Sequence, residues 1–131
     1  MRNLLFLLIV FISSCGNKQN SYKVSETTKV DDIIYVLSTM KPLTGVVYNK
    51  YGGASILYEC SYLDGKKHGQ ERWFYKNGNL KSLDKFIHGE YVDLSELYYE
   101  NGQLKKRYYW LQDSFKEPDC WNENGDTIEC E

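Results

Sequence analysis

Proline is almost missing from this chain, with 2 in 131 residues, while aromatic residues are plentiful at 12 Tyr, 5 Phe and 3 Trp. That balance suits β-sheet, and the length suits one domain. Helix is disfavoured, because the repeated part of the sequence has no capping residue followed by apolar residues at i, i+3 and i+4. No basic excess or basic patch is present, which speaks against nucleic acid as a partner. No Cys-x-x-Cys exists, and the only histidines, His68 and His88, lie far along the chain from the C-terminal cysteines, so a metal site is not expected. No glycine loop of the phosphate-cradling kind occurs. Asp31 and Asp32 do not make a catalytic acid pair, since neighbours on a strand point to opposite faces. After the first residues there is no second apolar run of membrane length.

The N-terminus is distinctive. Met1-Arg2-Asn3 brings one positive charge, and Leu4 to Ile12 is unbroken apolar sequence. The run is shorter than the roughly 20 residues a membrane-spanning helix needs and fits the apolar core of an export signal. It ends in Ile12-Ser13-Ser14-Cys15, which resembles the lipobox of bacterial lipoproteins, with Ser14 where Gly or Ala is commoner. The resemblance implies removal of residues 1–14, acylation of Cys15 and anchoring by its acyl chains, at about 0.8 kcal/mol per buried CH2. The alternative is an ordinary cleaved signal with a chance cysteine. Gly16, rather than Asp, after the cysteine implies the outer membrane of the cell envelope. Without the first fourteen residues, 15 bases stand against 18 acids, a charge of −3. Residues 15–32 are expected to be the lipidated cysteine and a flexible tether, because 16–29 are polar without apolar period. The folded domain is expected to span 33–131, with residues 30–40 read as an opening strand rather than a helix.

The domain repeats itself. Phe74-Tyr75-Lys76-Asn77-Gly78-Asn79-Leu80-Lys81 returns as Tyr98-Tyr99-Glu100-Asn101-Gly102-Gln103-Leu104-Lys105. A looser copy runs from Trp121 through Asn124-Gly125 to Ile128, and a degenerate one from Tyr48 to Ile56. Asn-Gly between apolar runs is a strong hairpin signal, since both residues accept positive φ. Asn77-Gly78, Asn101-Gly102 and Asn124-Gly125 are therefore expected at hairpin tips, with Trp73 and Tyr75 on one face and Arg72 and Phe74 on the other. A second motif, Asp64 to Gly69, is echoed by Ile87-His88-Gly89-Glu90. It sets Gly69 and Gly89 as bends, with the two histidines at equivalent turn positions. Each hairpin of about 24 residues cannot bury its own face, so neighbours must shelter one another. The expected fold is all-β, an elongated antiparallel sheet of three to four hairpin repeats. The pattern resembles the bacterial form of the MORN-variant repeat over residues 43 to 130. The insertion Tyr91-Val92-Asp93-Leu94 breaks the regular spacing.

If Gly125 is the tip of the last hairpin, Cys120 and Cys130 face one another across it and are disulfide candidates. Cys60 is then a small core residue on the strand Ile56 to Leu63. Aromatic residues fall on both sides of the strands. One side must be core, and Trp73, Tyr75, Tyr99, Tyr109 and Trp110 are candidates for a binding surface on the other, unless rings on both sides simply belong to a thin sheet. Lys105-Lys106-Arg107 reads as a solvated edge.

No catalytic residues, metal or cofactor are assigned. The expected function is a lipid-anchored, non-enzymatic binding or scaffold module with a protein or glycan partner. The resemblance extends to the YwqK-type "antitoxin component" family, which implies the alternative of neutralising a toxin by direct binding.

Overall fold

The computed structural model describes residues 19–111 and 116–131. The export signal and Cys15 lie outside the described residues. Thirteen strands follow in chain order: β1 Ser21–Lys23, β2 Thr27–Val30, β3 Ile33–Val36, β4 Lys41–Pro42, β5 Gly45–Lys50, β6 Ile56–Leu63, β7 Lys66–Phe74, β8 Leu80–Ile87, β9 Glu90–Tyr91, β10 Asp93–Tyr98, β11 Leu104–Trp110, β12 Asp119–Trp121 and β13 Thr127–Ile128. Ten of them form one sheet in the order β1-β5-β6-β7-β8-β10-β11-β12-β13, with β9 also paired to β8, and β2-β3-β4 form a small second sheet. All pairings in the large sheet are antiparallel except β1 with β5. The all-β architecture of hairpins side by side is the expected one. Neighbouring hairpins shelter one another by edge pairing within one sheet.

The repeated octapeptides make the same turn each time. The Gly78 N–H donates to the Tyr75 carbonyl (2.9 Å) and the Tyr75 N–H to the Asn79 carbonyl (2.8 Å), and the same two bonds recur at Tyr99–Gln103 and Asn122–Asp126. Only the glycine of each pair has positive φ, +92° at Gly78 and +89° at Gly102 and Gly125. The expectation of positive φ at Asn77, Asn101 and Asn124 is therefore corrected. The turn is a longer loop closed by a glycine bulge, with a register shift at Trp73/Phe74 and at Leu97/Tyr98. The asparagines serve through their side chains. Asn77 Oδ1 accepts the Asn79 N–H (2.9 Å), and Asn101 Oδ1 accepts that of Gln103 (2.9 Å).

The repeat also joins one hairpin to the next. Hydroxyls of Tyr51, Tyr75 and Tyr99 donate to the carbonyls of Phe74 (2.8 Å), Tyr98 (2.8 Å) and Trp121 (3.0 Å). Amides of Asn77 and Asn101 donate to the carbonyls of Glu100 (2.9 Å) and Glu123 (3.0 Å). Tyrosine and asparagine recur because each turn must satisfy carbonyls of the following turn.

The opposite ends of the strands hold the two-residue turns. Asp64 and Gly65 (φ +49° and +79°) join β6 to β7, and His88 and Gly89 (+49° and +93°) join β8 to β9. Asp64-Gly65 is thus the counterpart of His88-Gly89. The expected bend at Gly69 is a correction: it lies within β7, opposite Phe86. The insertion at 91–94 is a bulge that breaks one long strand into β9 and β10, with Asp93 at φ +68° and the Val92 N–H bonded to the Lys85 carbonyl (3.0 Å).

The tether expectation also needs correction from Ser21 onward. β1 extends the large sheet and β2 pairs with β3, so the ordered domain begins well before residue 33. The small sheet docks on the Asp64-Gly65 turn. The Ile34 N–H donates to the Gly65 carbonyl (2.9 Å), the Gly65 N–H to the Leu43 carbonyl (2.8 Å), and Leu43 is fully buried. A Cβ on Gly65 would stand 2.3 Å from Ile33 Cγ2 and 2.8 Å from the Ile34 carbonyl oxygen, so only glycine permits this approach.

Candidate functional site

Strand alternation gives the large sheet two unlike faces. Successive pairings align Val47, Cys60, Glu71 and Asp84 across β5 to β8, and Ser95 with Tyr108 across β10 and β11. This face holds most of the buried residues: Val47, Cys60, Glu71, Phe86, Ser95 and Cys120. Its polar members satisfy one another. Lys67 Nζ donates to both Glu71 oxygens (2.7 and 2.8 Å) and lies 4.6 Å from the centre of the Phe86 ring. Ser95 Oγ donates to Asp84 Oδ1, and the Trp110 indole N–H donates to Ser95 Oγ (2.7 Å). Glu71 and Asp84 sit opposite one another, an unfavourable pairing for like charges, which these donors offset. Burial, followed by the nearby Glu71 charge, pushes the Cys60 thiol up to about 11, so it is a core group and not a nucleophile. Burial likewise pushes the Tyr62 phenol up to about 12 and that of Tyr58 higher still.

Around this floor stand aromatic rings. Tyr58 packs on Trp73 (4.5 Å), Phe86 on Tyr91 (4.4 Å), and Tyr91 stacks on Trp110 at 4.6 Å and 22°. Among the described residues, the exposed aromatic residues are Trp73 (40%), Tyr91 (46%), Tyr108 (36%) and Trp110 (44%), and all four lie on this face.

The other face is an array of ion pairs. Glu59 pairs with Arg72, Arg107 donates to Glu96 (2.7 and 3.0 Å), the Tyr98 hydroxyl donates to Glu96 (2.6 Å), and the Tyr109 hydroxyl donates to Asp119. The Tyr109 bond, with Lys116 beside it, holds the Asp119 carboxyl below its ordinary value. Burial and the Glu96 bond push the Tyr98 phenol up to about 12. Cations cover the rings here and along the turns: Lys50 over Tyr48, Arg72 over Phe74, Lys81 over Tyr75, Lys105 over Tyr99, Arg107 over Trp121 and Lys116 over Tyr109.

The five sequence-level candidates therefore separate. Trp73 and Trp110 share the aromatic face. Tyr75 and Tyr99 have their hydroxyls in the joints between hairpins, and Tyr109 belongs to the ion-pair face. Lys105, Lys106 and Arg107 are not one basic edge. Lys106 lies over Tyr108 on the aromatic face, and Arg107 pairs with Glu96 on the other. Tyr91, Phe86 and the polar floor were missed. Counting back in twos from Trp73 reaches Glu71, whereas Asp84 and Ser95 follow only once the bulge at each turn is known.

Cys120 and Cys130 are joined in a disulfide, with Cα atoms 5.4 Å apart. The register differs from the expected one, since Cys120 opposes Ile128 and Cys130 lies past the end of β13. His68 and His88 meet with ring centres 4.9 Å apart, and the His88 N–H points at His68 Nδ1 (3.4 Å). Among the described residues no three metal-ligating side chains converge, and no helix is long and apolar enough to cross a membrane. Compared with known proteins, the sequence matches no family model, no curated protein and no solved structure.

Proposed function

We propose that this chain is a non-enzymatic binding module, held at a bacterial envelope by lipid on Cys15, with the aromatic face as its contact surface. One observation carries the reading: among the described residues, every exposed aromatic residue lies on the same side of the sheet. Tyr and Trp give large contact area at low entropic cost and dominate recognition surfaces. Resemblance to the lipobox at Ile12–Cys15 and to MORN-variant repeats over residues 43 to 130 supports the address and the scaffold role. A toxin partner would use the same surface.

The test uses intact envelopes. Cross-linking with the full-length chain is expected to capture a partner that a Trp73→Ala/Trp110→Ala variant of equal abundance does not. Cys15→Ser is expected to move the protein out of the membrane fraction. Equal capture by the tryptophan variant would sink the contact surface, and unchanged membrane association of Cys15→Ser would sink the anchor.

A further inference from the structure

We propose that the aromatic face binds a neutral glycan stacked on Trp110 and Trp73. The proposal rests on the binding-module reading above and specifies its ligand. Three observations support it.

The first is which rings the protein leaves bare. Of the four aromatic residues exposed among the described residues, Tyr108 has a cation over its ring, Lys106 at 5.1 Å. Among the described residues, no lysine or arginine lies over Trp73, Tyr91 or Trp110. Rings elsewhere are closed off by Lys50, Arg72, Lys81, Lys105, Arg107 and Lys116. A chain this rich in ring-covering cations leaves the largest platforms on one face uncovered.

The second is charge. Lys67 neutralises Glu71, Lys106 matches Asp84 in number, and the Asp84 carboxylate is engaged by Ser95. Asp93, opposite Trp110, is paired with Lys85 (2.6 Å), and Lys106 lies over the Tyr108 ring, so the bases Lys67, Lys85 and Lys106 match the acids Glu71, Asp84 and Asp93. A polycation or polyanion would meet no compensating field, whereas an uncharged polyhydroxyl ligand matches a net-neutral surface. Flat sugar faces carry C–H groups that pack on rings, and their hydroxyls suit a floor of carboxylate, hydroxyl and ammonium groups.

The third is preorganisation. Trp110 is exposed, yet its indole N–H is held by Ser95, which is only 6% exposed and is itself held by Asp84, while Tyr91 backs the ring at 4.6 Å. A platform whose orientation is set from beneath loses little freedom on binding. Trp73 is on β7 and Trp110 on β11. The register sets Lys106 in line with Trp73, so Trp110 lies four residues further along β11. Three strand steps at about 4.8 Å and four residues at about 3.3 Å put roughly 20 Å between the two positions, so the ligand is a chain of several sugars and not a monosaccharide.

The experiment uses the full-length chain in a non-glycosidic detergent, with cellohexaose, chitohexaose, laminarihexaose and maltohexaose as probes. Calorimetry measures affinity, and the indole N–H signals of the three tryptophans report location. Expected is saturable binding of at least one probe, unchanged by added salt. The Trp73 and Trp110 signals shift, and that of Trp121 stays. Trp110→Ala weakens binding at least about tenfold, Trp110→Tyr restores most of it, and circular dichroism confirms that both variants fold. Tyr48→Ala on the ion-pair face binds as the parent does. Three results would overturn the proposal: no probe binding at millimolar concentration, polylysine binding that decays with salt in place of sugar binding, or a dimer in solution that buries Trp110. Any of these with tryptophan-dependent capture intact would leave the binding module standing with a different ligand. Loss of that dependence as well would remove both.

Discussion

On β7, Glu71 and Trp73 face one way and Arg72, between them, faces the other, and the two sides meet different surroundings. Glu71 is buried and held by Lys67 beside Cys60 and Phe86. Arg72 is exposed, reaching Glu59 across one strand and lying over Phe74. The same contrast runs along the sheet. One face buries what it can in a single layer and leaves platforms such as Trp110 open. The other covers its rings with its own cations and pairs its charges. Rings on an open sheet face need protection, and a charged side chain laid over a ring supplies it without burial. On the face that also holds the buried residues, Lys67 and Lys106 cover Phe86 and Tyr108, while among the described residues no cation lies over Trp73, Tyr91 or Trp110.

If the aromatic face supplies the core, its buried members should be the costliest to remove. Phe86 is 4% exposed between Lys67 and Tyr91, and Phe86→Ala is expected to lower unfolding free energy by about 3–5 kcal/mol in denaturant titration. A loss below about 1 kcal/mol, typical of a surface site, would break the contrast. Next in size is the terminal staple. Reducing Cys120–Cys130 is expected to remove about 2–4 kcal/mol, near the low end because the loop is short. Hydrogen exchange should rise in β12 and β13 and stay slow in β6 to β8.

Alkali separates the faces further. Thiols and phenols become charged when they lose a proton, and Cys60, Tyr62 and Tyr98 all hold theirs more tightly in the fold. Folding therefore gains stability from them below their unfolded values and loses it as pH rises. For Cys60 the loss starts near the ordinary thiol value of about 8.5 and is complete above its folded value of about 11. The two tyrosines follow, from about 10 to their folded values of about 12. The expected result is a melting temperature that falls in two steps, the first belonging to the aromatic face. Cys60→Ala should abolish that first step, and a single late step in the parent would contradict it.

Much of this was legible in the chain. The octapeptide repeat, the aromatic content and the scarcity of proline gave the hairpins, because turn chemistry and strand composition act locally. What the repeat is for was not legible. Tyr75 and Tyr99 read as surface rings, and only the neighbouring hairpin reveals that their hydroxyls join turn to turn. The two-residue turns were misplaced by four positions at Gly69, since Asp64-Gly65 and His68-Gly69 both satisfy the local rule and the pairing partner decides between them. The polar stretch before Ile33 carries no apolar period, yet β1 forms there on the open edge of β5 and β2 on β3, which is itself docked on the Asp64-Gly65 turn. The candidate site depends on register carried across several bulged hairpins, an accumulation that local patterns do not encode.

The smallest expected effect is the most specific test of ring covering. Arg72→Ala removes an ion pair whose arginine side chain is 44% exposed, and such pairs contribute about 0–1 kcal/mol. Stability should therefore fall by no more than about that amount, and by less at 1 M salt, where the screening length shrinks to about 3 Å. The same change uncovers the Phe74 ring. If cations over rings are what keep the ion-pair face closed, the variant should bind a hydrophobic dye more strongly than the parent at equal stability. Lys50→Ala should do the same at Tyr48. Dye binding that rises in neither variant would mean that the charged face is closed by its ion pairs alone, and that the bare rings of Trp73 and Trp110 differ from the covered ones only in exposure.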